Sequence, residues 1–147
     1  MKTIVVKRLI HAPIEQVFDK LSDHAGYARF QGIKDAKLLR EGRDERNGNG
    51  AIRRVDLGAV WFEEVISHFH RPTGFDYRIL RSRPPIDHEY GGLRLEETPE
   101  GTLVTWTSTL HICIPLVGSL MTSMAVKTGE KAFGGLLKAI DRELQGR

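Results

Sequence analysis

The spacing of apolar residues changes character twice along the chain. Residues 3–11 are rich in Ile and Val and read as a first strand. Pro13 suits a first helical turn, where its missing N–H costs nothing. Ile14, Val17, Phe18 and Leu21 then fall at helical spacing, which predicts a short amphipathic helix over 13–22. Asp23 caps a second short helix that runs to about Phe30. From Lys34 the period shortens to two, with strands expected at about 34–41, 51–57, 60–69, 75–81, 88–97 and 102–113. Between them lie turn signals: a polar, glycine-rich stretch at 41–50, Gly58-Ala59, Arg71-Pro72-Thr73-Gly74, Pro84-Pro85 and Pro99-Glu100-Gly101.

Pro115 ends this run, and residues 117–145 contain no proline. They predict one long helix with a mostly apolar stripe of Leu120, Met121, Met124, Thr128, Ala132, Leu136, Ala139 and Ile140. Gly129, Gly134 and Gly135 interrupt it; close packing against the sheet is expected at 134–135, with a kink near 129 left open. The pattern as a whole is α+β: a curved antiparallel sheet of seven strands, two short helices after the first strand, and a long C-terminal helix packed on the sheet. Residues 1–147 form one domain, with no repeat or linker.

Hairpin geometry converts this pattern into a candidate site. A two-residue turn at Gly58-Ala59 opposes Val55 to Phe62 and Arg53 to Glu64 on one face. That face is apolar apart from the single charge pair, so it is assigned to the concave, helix-facing side. A four-residue turn at 71–74 opposes His68 to Tyr77, Ile66 to Ile79 and Glu64 to Arg81, and the Pro99–Gly101 turn opposes Leu95 to Val104 and Leu93 to Trp106. The candidate ligand-binding residues are therefore Arg53, Glu64, Arg81, Val55, Phe62, Ile66, Ile79, Leu93 and Trp106, with Met124 from the helix. Apolar walls supply affinity and a few convergent polar groups set orientation. Arg53 and Glu64 are either a structural ion pair, or Arg53 or Arg81 binds a ligand carboxylate or enolate and is held in place by Glu64. His68 and Tyr77 are the candidate catalytic pair: imidazole titrates near neutrality and a phenol donates to a carbonyl oxygen.

Composition removes several other classes. The net charge is +3, but Lys and Arg alternate with Asp and Glu throughout, so no nucleic-acid partner is expected. No segment approaches the roughly 20 apolar residues of a membrane span, and the N-terminus lacks a signal-peptide core; a cytoplasmic protein is expected. The one cysteine, Cys113, sits in an apolar run and reads as a buried small hydrophobe. His68-Phe69-His70 lacks a third metal ligand, and Asp87-His88-Glu89, following the proline pair, reads as a polar loop. No metal or cofactor is expected, since nucleophile-elbow, P-loop and dinucleotide motifs are lacking.

The stretch Ile10-His11-Ala12-Pro13-Ile14-Glu15-Gln16-Val17-Phe18-Asp19-Lys20-Leu21-Ser22-Asp23 resembles the opening of the SRPBCC, or START-like, superfamily, which includes polyketide cyclase/dehydrase, lipid-transport and birch-pollen-allergen proteins. Gly50-Ala51-Ile52-Arg53-Arg54-Val55, Glu64-Val65-Ile66 and Tyr77-Arg78-Ile79 are similar to its central strands, and Gly101-Thr102-Leu103-Val104-Thr105-Trp106 to its last strand. The resemblance implies a helix-grip fold with an internal cavity. It carries no common catalytic residue. The expected function is binding of a hydrophobic or aromatic small molecule (lipid, quinone or polyketide-like). A cyclase or dehydratase using the same cavity and a protein-interaction module are the alternatives.

Overall fold

A computed structural model describes residues 1–146. The strands are β1 (Lys2–Ile10), β2 (Asp35–Arg40), β3 (Ile52–Asp56), β4 (Trp61–His70), β5 (Gly74–Arg83), β6 (Ile86–Thr98) and β7 (Gly101–Ile112). They form one antiparallel sheet in the order β1-β7-β6-β5-β4-β3-β2. Helix α1 (Ile14–Ser22) and a 3₁₀ turn (Ala25–Arg29) connect β1 to β2, and α2 (Gly118–Leu144) closes the chain. The helix-grip architecture expected from the sequence is thus the one formed. Helix α1 buries Ile14, Val17, Phe18 and Leu21, the four residues its spacing singled out. Phe18 meets Phe69 and Phe75 edge-on, with ring centroids 5.1 and 6.1 Å apart.

Two hairpins follow their expected register. Arg53 lies opposite Glu64 and Val55 opposite Phe62; Leu95 faces Val104 and Leu93 faces Trp106. The β4–β5 hairpin does not. Its turn is one residue shorter, closing on His70 opposite Gly74, and two irregularities then shift the pairing. The first falls at His68, whose φ of 47° is left-handed. Such a bulge turns the side chain away from the strand's regular face. Ile66 therefore pairs with Tyr77 and Glu64 with Ile79. The second lies between Glu63 and Glu64 and sets Glu63, on the convex face, opposite Arg81.

Helix α2 lies chiefly along β1 and β7. The expected stripe holds at its C-terminal end, where Leu136 and Ile140 are buried together with Leu137, and fails at its front, where Met124 is 60% and Leu120 64% exposed. The helix runs unbroken through its glycines. Close packing falls at Gly129, where a Cβ would stand 2.5 Å from Ile4 Cδ1; at Gly135 nothing lies within 4 Å. The helix is fastened at its C-terminal half. Asp141 accepts from the His11 N–H at 3.1 Å and from Arg8 at 3.2 Å, while Glu143 takes two bonds from Arg29. The front half is held by Thr122, which caps the Ile112 N–H at 2.9 Å, and leaves Leu116, Val117, Leu120 and Met124 exposed.

Two further expectations are corrected. Cys113 is exposed, because β7 ends at Ile112 and the thiol falls in the following loop. Residues 87–89 belong to β6 rather than to a loop, and His88 is buried.

β5 and β6 pair only where Gly74, Phe75 and Asp76 face Arg94, Leu93 and Gly92. Beyond Asp76 the two strands do not pair with each other, although each keeps its ladder to the strand on its other side.

Candidate functional site

The concave face carries one charge pair set among aromatic rings. Arg53 Nε donates to Glu64 Oε1 at 2.8 Å, and both side chains are buried. The guanidinium also donates to His24 Nδ1 at 3.1 Å and lies 5.0 Å from the Tyr77 ring centroid and 5.3 Å from that of Tyr27. Cation–π contact of this kind is strongest where the cation has lost its water. His24 is fixed in one tautomer by its neighbours. Arginine can only donate, so Nδ1 accepts, and Nε2 donates to the Asn47 carbonyl at 2.9 Å. Burial, reinforced by the Arg53 charge, lowers the His24 pKa to about 3. Burial is the largest single influence and works against the Arg53 charge, but the Glu64 carboxylate, its hydrogen bond and the neighbouring tyrosines together outweigh it and the guanidinium stays charged.

Glu64 is bonded to Arg53 through one oxygen. The other, Oε2, takes no hydrogen bond among the described residues. Val55, Phe62 and Ile79, the strand neighbours of this pair, are half-buried.

A second polar row lies beside it. Trp106 Nε1 donates to the Tyr77 hydroxyl at 2.9 Å, and the Tyr77 ring stacks on His88, centroids 5.4 Å apart. His88 Nδ1 accepts the Ile79 N–H at 3.1 Å, so Nε2 carries the proton and points it to Ser108 Oγ at 3.0 Å. His88 is therefore a donor to Ser108, the wrong arrangement for activating that hydroxyl as a nucleophile. Burial raises the Tyr77 pKa, with the Glu64 charge adding to it, so the phenol keeps its proton. Gly91 makes the stack possible: a Cβ there would stand 2.5 Å from the Tyr77 ring and 2.7 Å from His88. Gly91→Ala is expected to destabilise by about 1–3 kcal/mol, the usual range for overpacking. Urea unfolding measures this, with the near-ultraviolet circular dichroism of the tyrosine changing in parallel.

The sequence-derived residues divide cleanly. Ile66, Leu93 and Trp106 are buried on the concave face with Arg53, Glu64 and Tyr77, and Val55, Phe62 and Ile79 border them. Three residues lie elsewhere. Arg81 is on the convex face, bonded to Glu63 at 2.8 Å, because the second bulge inverts its side. His68 is 73% exposed and pairs with Asp76 at 3.1 Å, so the expected His68–Tyr77 couple is not formed. Met124 faces outward on α2. The single hollow expected under the helix is crossed by Trp106 and Phe133, stacked 4.1 Å apart and 7° from parallel; such a stack contributes about 0.5–1.5 kcal/mol. A groove of about 550 Å³ lies at another place, between residues 11–15 and the β6–β7 turn at 97–101, remote from the charge pair. Among the described residues, no three His, Cys, Asp or Glu side chains group as a metal site, and no helix is long and apolar enough to cross a membrane.

Sequence reasoning missed His24, Tyr27, His88 and Ser108. One signal was present for the first. A buried guanidinium carries five N–H donors, and a single carboxylate cannot satisfy them, so a further acceptor had to exist.

A curved sheet folded on a C-terminal helix, with a polar group enclosed on its concave side, defines the class: a START-like helix-grip domain. The family model described as polyketide cyclase / dehydrase and lipid transport matches residues 1–145, and the chain belongs to that family. Solved structures share the fold. TTHA0849 from Thermus thermophilus is 19% identical, with a TM-score of 0.79 over 99% of this chain and 98% of that one. A START superfamily protein from Mycobacterium smegmatis is 15% identical, with a TM-score of 0.75 over 95% and 97%. The Zhui aromatase/cyclase from a Streptomyces species is 14% identical, with a TM-score of 0.71 over 97% and 95%. No curated protein matches the sequence.

Proposed function

We propose that this protein binds a hydrophobic or aromatic small molecule bearing a hydroxyl group, against the concave face of β3–β5 where α2 does not cover it. The observation that carries the reading is Glu64, whose Oε2 takes no protein donor among the described residues while Arg53 holds the other oxygen, in a border of half-buried Val55, Phe62 and Ile79. A guest hydroxyl would donate to Oε2, and the apolar border would supply affinity. The family, with its cyclase, dehydrase and lipid-transport members, supports a guest of this kind.

The test is a thermal-shift and tryptophan-fluorescence titration with hydroxylated polycyclic aromatics, fatty acids and quinones. Stabilisation by the hydroxylated aromatics is expected, amounting to about 2.7 kcal/mol at a hundredfold excess over Kd. Glu64→Gln should weaken binding about ten- to a hundredfold, since a hydrogen bond to a charged group is worth about 1.5–3 kcal/mol. No stabilisation by any class, or equal affinity in Glu64→Gln, would remove the reading.

Binding is preferred to cyclase or dehydratase chemistry because both nitrogens of His88 are engaged and His68 faces solvent. A partner-binding reading rests on the exposed Leu116, Val117, Leu120 and Met124. Replacing Leu120 and Met124 by Ser should abolish partner capture under that reading and leave small-molecule stabilisation unchanged.

A further inference from the structure

The break between β5 and β6 is spanned by a side chain where a backbone carbonyl would normally stand. The ladder between these strands stops at Asp76 and Gly92, and β6 bulges between His88 and Tyr90. Across the resulting seam, the Ile79 N–H is received by His88 Nδ1 at 3.1 Å. The imidazole is held from behind by Ser108 on β7 and flat against Tyr77 on β5. Ile79 is also the strand partner of Glu64, whose charge is felt at the His88 ring. The seam therefore runs alongside the residue paired with Glu64, and His88 is the group that closes it.

We propose that His88 is a proton-operated latch between β5 and β6, controlling access to Glu64 through the sheet. Neutral His88 accepts the Ile79 N–H. Protonated His88 carries a hydrogen on Nδ1, which opposes the Ile79 hydrogen and breaks the contact. The charged and titratable groups around it are Tyr77 and Arg78 on β5, Glu64 on β4 and Asp87 on its own strand, with the Ser108 hydroxyl on β7. Glu64 and Asp87 favour the charged ring, and Arg78 opposes it. Burial is the largest influence and holds the pKa below the usual 6.5. The latch is accordingly closed at neutral pH and opens as the solution is acidified below that value. That the seam serves a ligand rests on the binding reading above; the latch itself does not.

The experiment is residue-resolved amide hydrogen exchange on the full chain, corrected for intrinsic rates, with Phe75 and Leu93 in the paired ladder as controls. At about pH 7.5 the Ile79 amide should be at least about tenfold more protected in the wild type than in His88→Leu, the worth of one hydrogen bond. Wild-type protection should fall as the pH is lowered below the ordinary imidazole range, while the controls hold. His88→Gln, whose side-chain carbonyl can accept the N–H but cannot titrate, should keep the protection and lose its pH dependence. Equal Ile79 protection in the wild type and His88→Leu, or the same pH profile in His88→Gln, would overturn the latch. Should His88→Leu fail to fold, Ser108→Ala, which frees the ring from behind, should lower Ile79 protection, and no change there counts equally against it. Stopped-flow binding of the uncharged probe N-phenyl-1-naphthylamine addresses access separately. Faster association in His88→Leu supports the seam as the route, and an unchanged rate rejects that route. A probe that binds neither protein counts against the binding reading and leaves the exchange result to judge the latch.

Discussion

Arg53→Met should cost about 3–5 kcal/mol of stability, the range for breaking a buried ion pair from one side. The loss comes less from the missing attraction than from what remains. Glu64 would be left buried without its counter-charge, and His24 Nδ1 would lose its donor. Glu64→Leu should cost a similar amount for the mirror-image reason. The double variant Arg53→Met/Glu64→Leu removes both charges and fills the space with apolar atoms, so it should recover most of the loss. Urea unfolding of the four proteins gives the coupling directly. Additive single losses would show that the two groups do not depend on each other. A single-variant cost below about 1 kcal/mol would mean the pair behaves as if it were solvated.

Acidification should unfold this protein from within, through His24. Its folded pKa of about 3 lies below the 6.5 of an unperturbed imidazole. The unfolded chain therefore takes up a proton that the folded chain refuses. The stabilisation is fully present above about pH 6.5 and is lost as pH falls from there towards 3, at about 1.4 kcal/mol per unit. His88, also lowered by burial, contributes with the same sign. The carboxylates Glu63, Asp141 and Glu143, whose pKa values are lowered by their donors, add their losses only below their unfolded range near 4. The interval from about pH 6.5 to 4.5 therefore reports the histidines. His24→Asn can accept from Arg53 and donate to Asn47 without titrating. Its unfolding midpoint should vary less with pH across that interval than the wild type's. Parallel curves for the two proteins would remove His24 as the cause.

How much of this was readable in advance depended on backbone regularity. The β3–β4 and β6–β7 hairpins announced themselves through Gly58-Ala59 and Pro99-Glu100-Gly101, and strict alternation then placed Arg53, Glu64 and Trp106 on the enclosed face. The β4–β5 hairpin defeated the same method because its turn is shorter than expected and its strands slip at two bulges. A left-handed residue at His68 has no sequence marker; a glycine there would have been suspected, a histidine was not. Each slip moves a side chain across the sheet, and so His68 and Arg81 left the site. The helix was harder again. Its apolar residues cover more than one face, so periodicity alone could not say that Phe133 and Leu137 turn inward and Met124 outward. The buried histidine beside Tyr77 is His88 and not residue 68, and the Pro84-Pro85 pair disguised it as loop.

The arrangement around Arg53 also restricts which guests the fold can accept. The guanidinium and Glu64 cancel, and His24 is neutral, so the enclosed polar centre is balanced as it stands. An uncharged guest leaves that balance intact. One that arrives with its own carboxylate must compete with Glu64 for a cation already committed, and would set two anions side by side out of reach of water. Under the binding reading, selection against acids is thus written into the resting molecule, before any contact with a guest has been made.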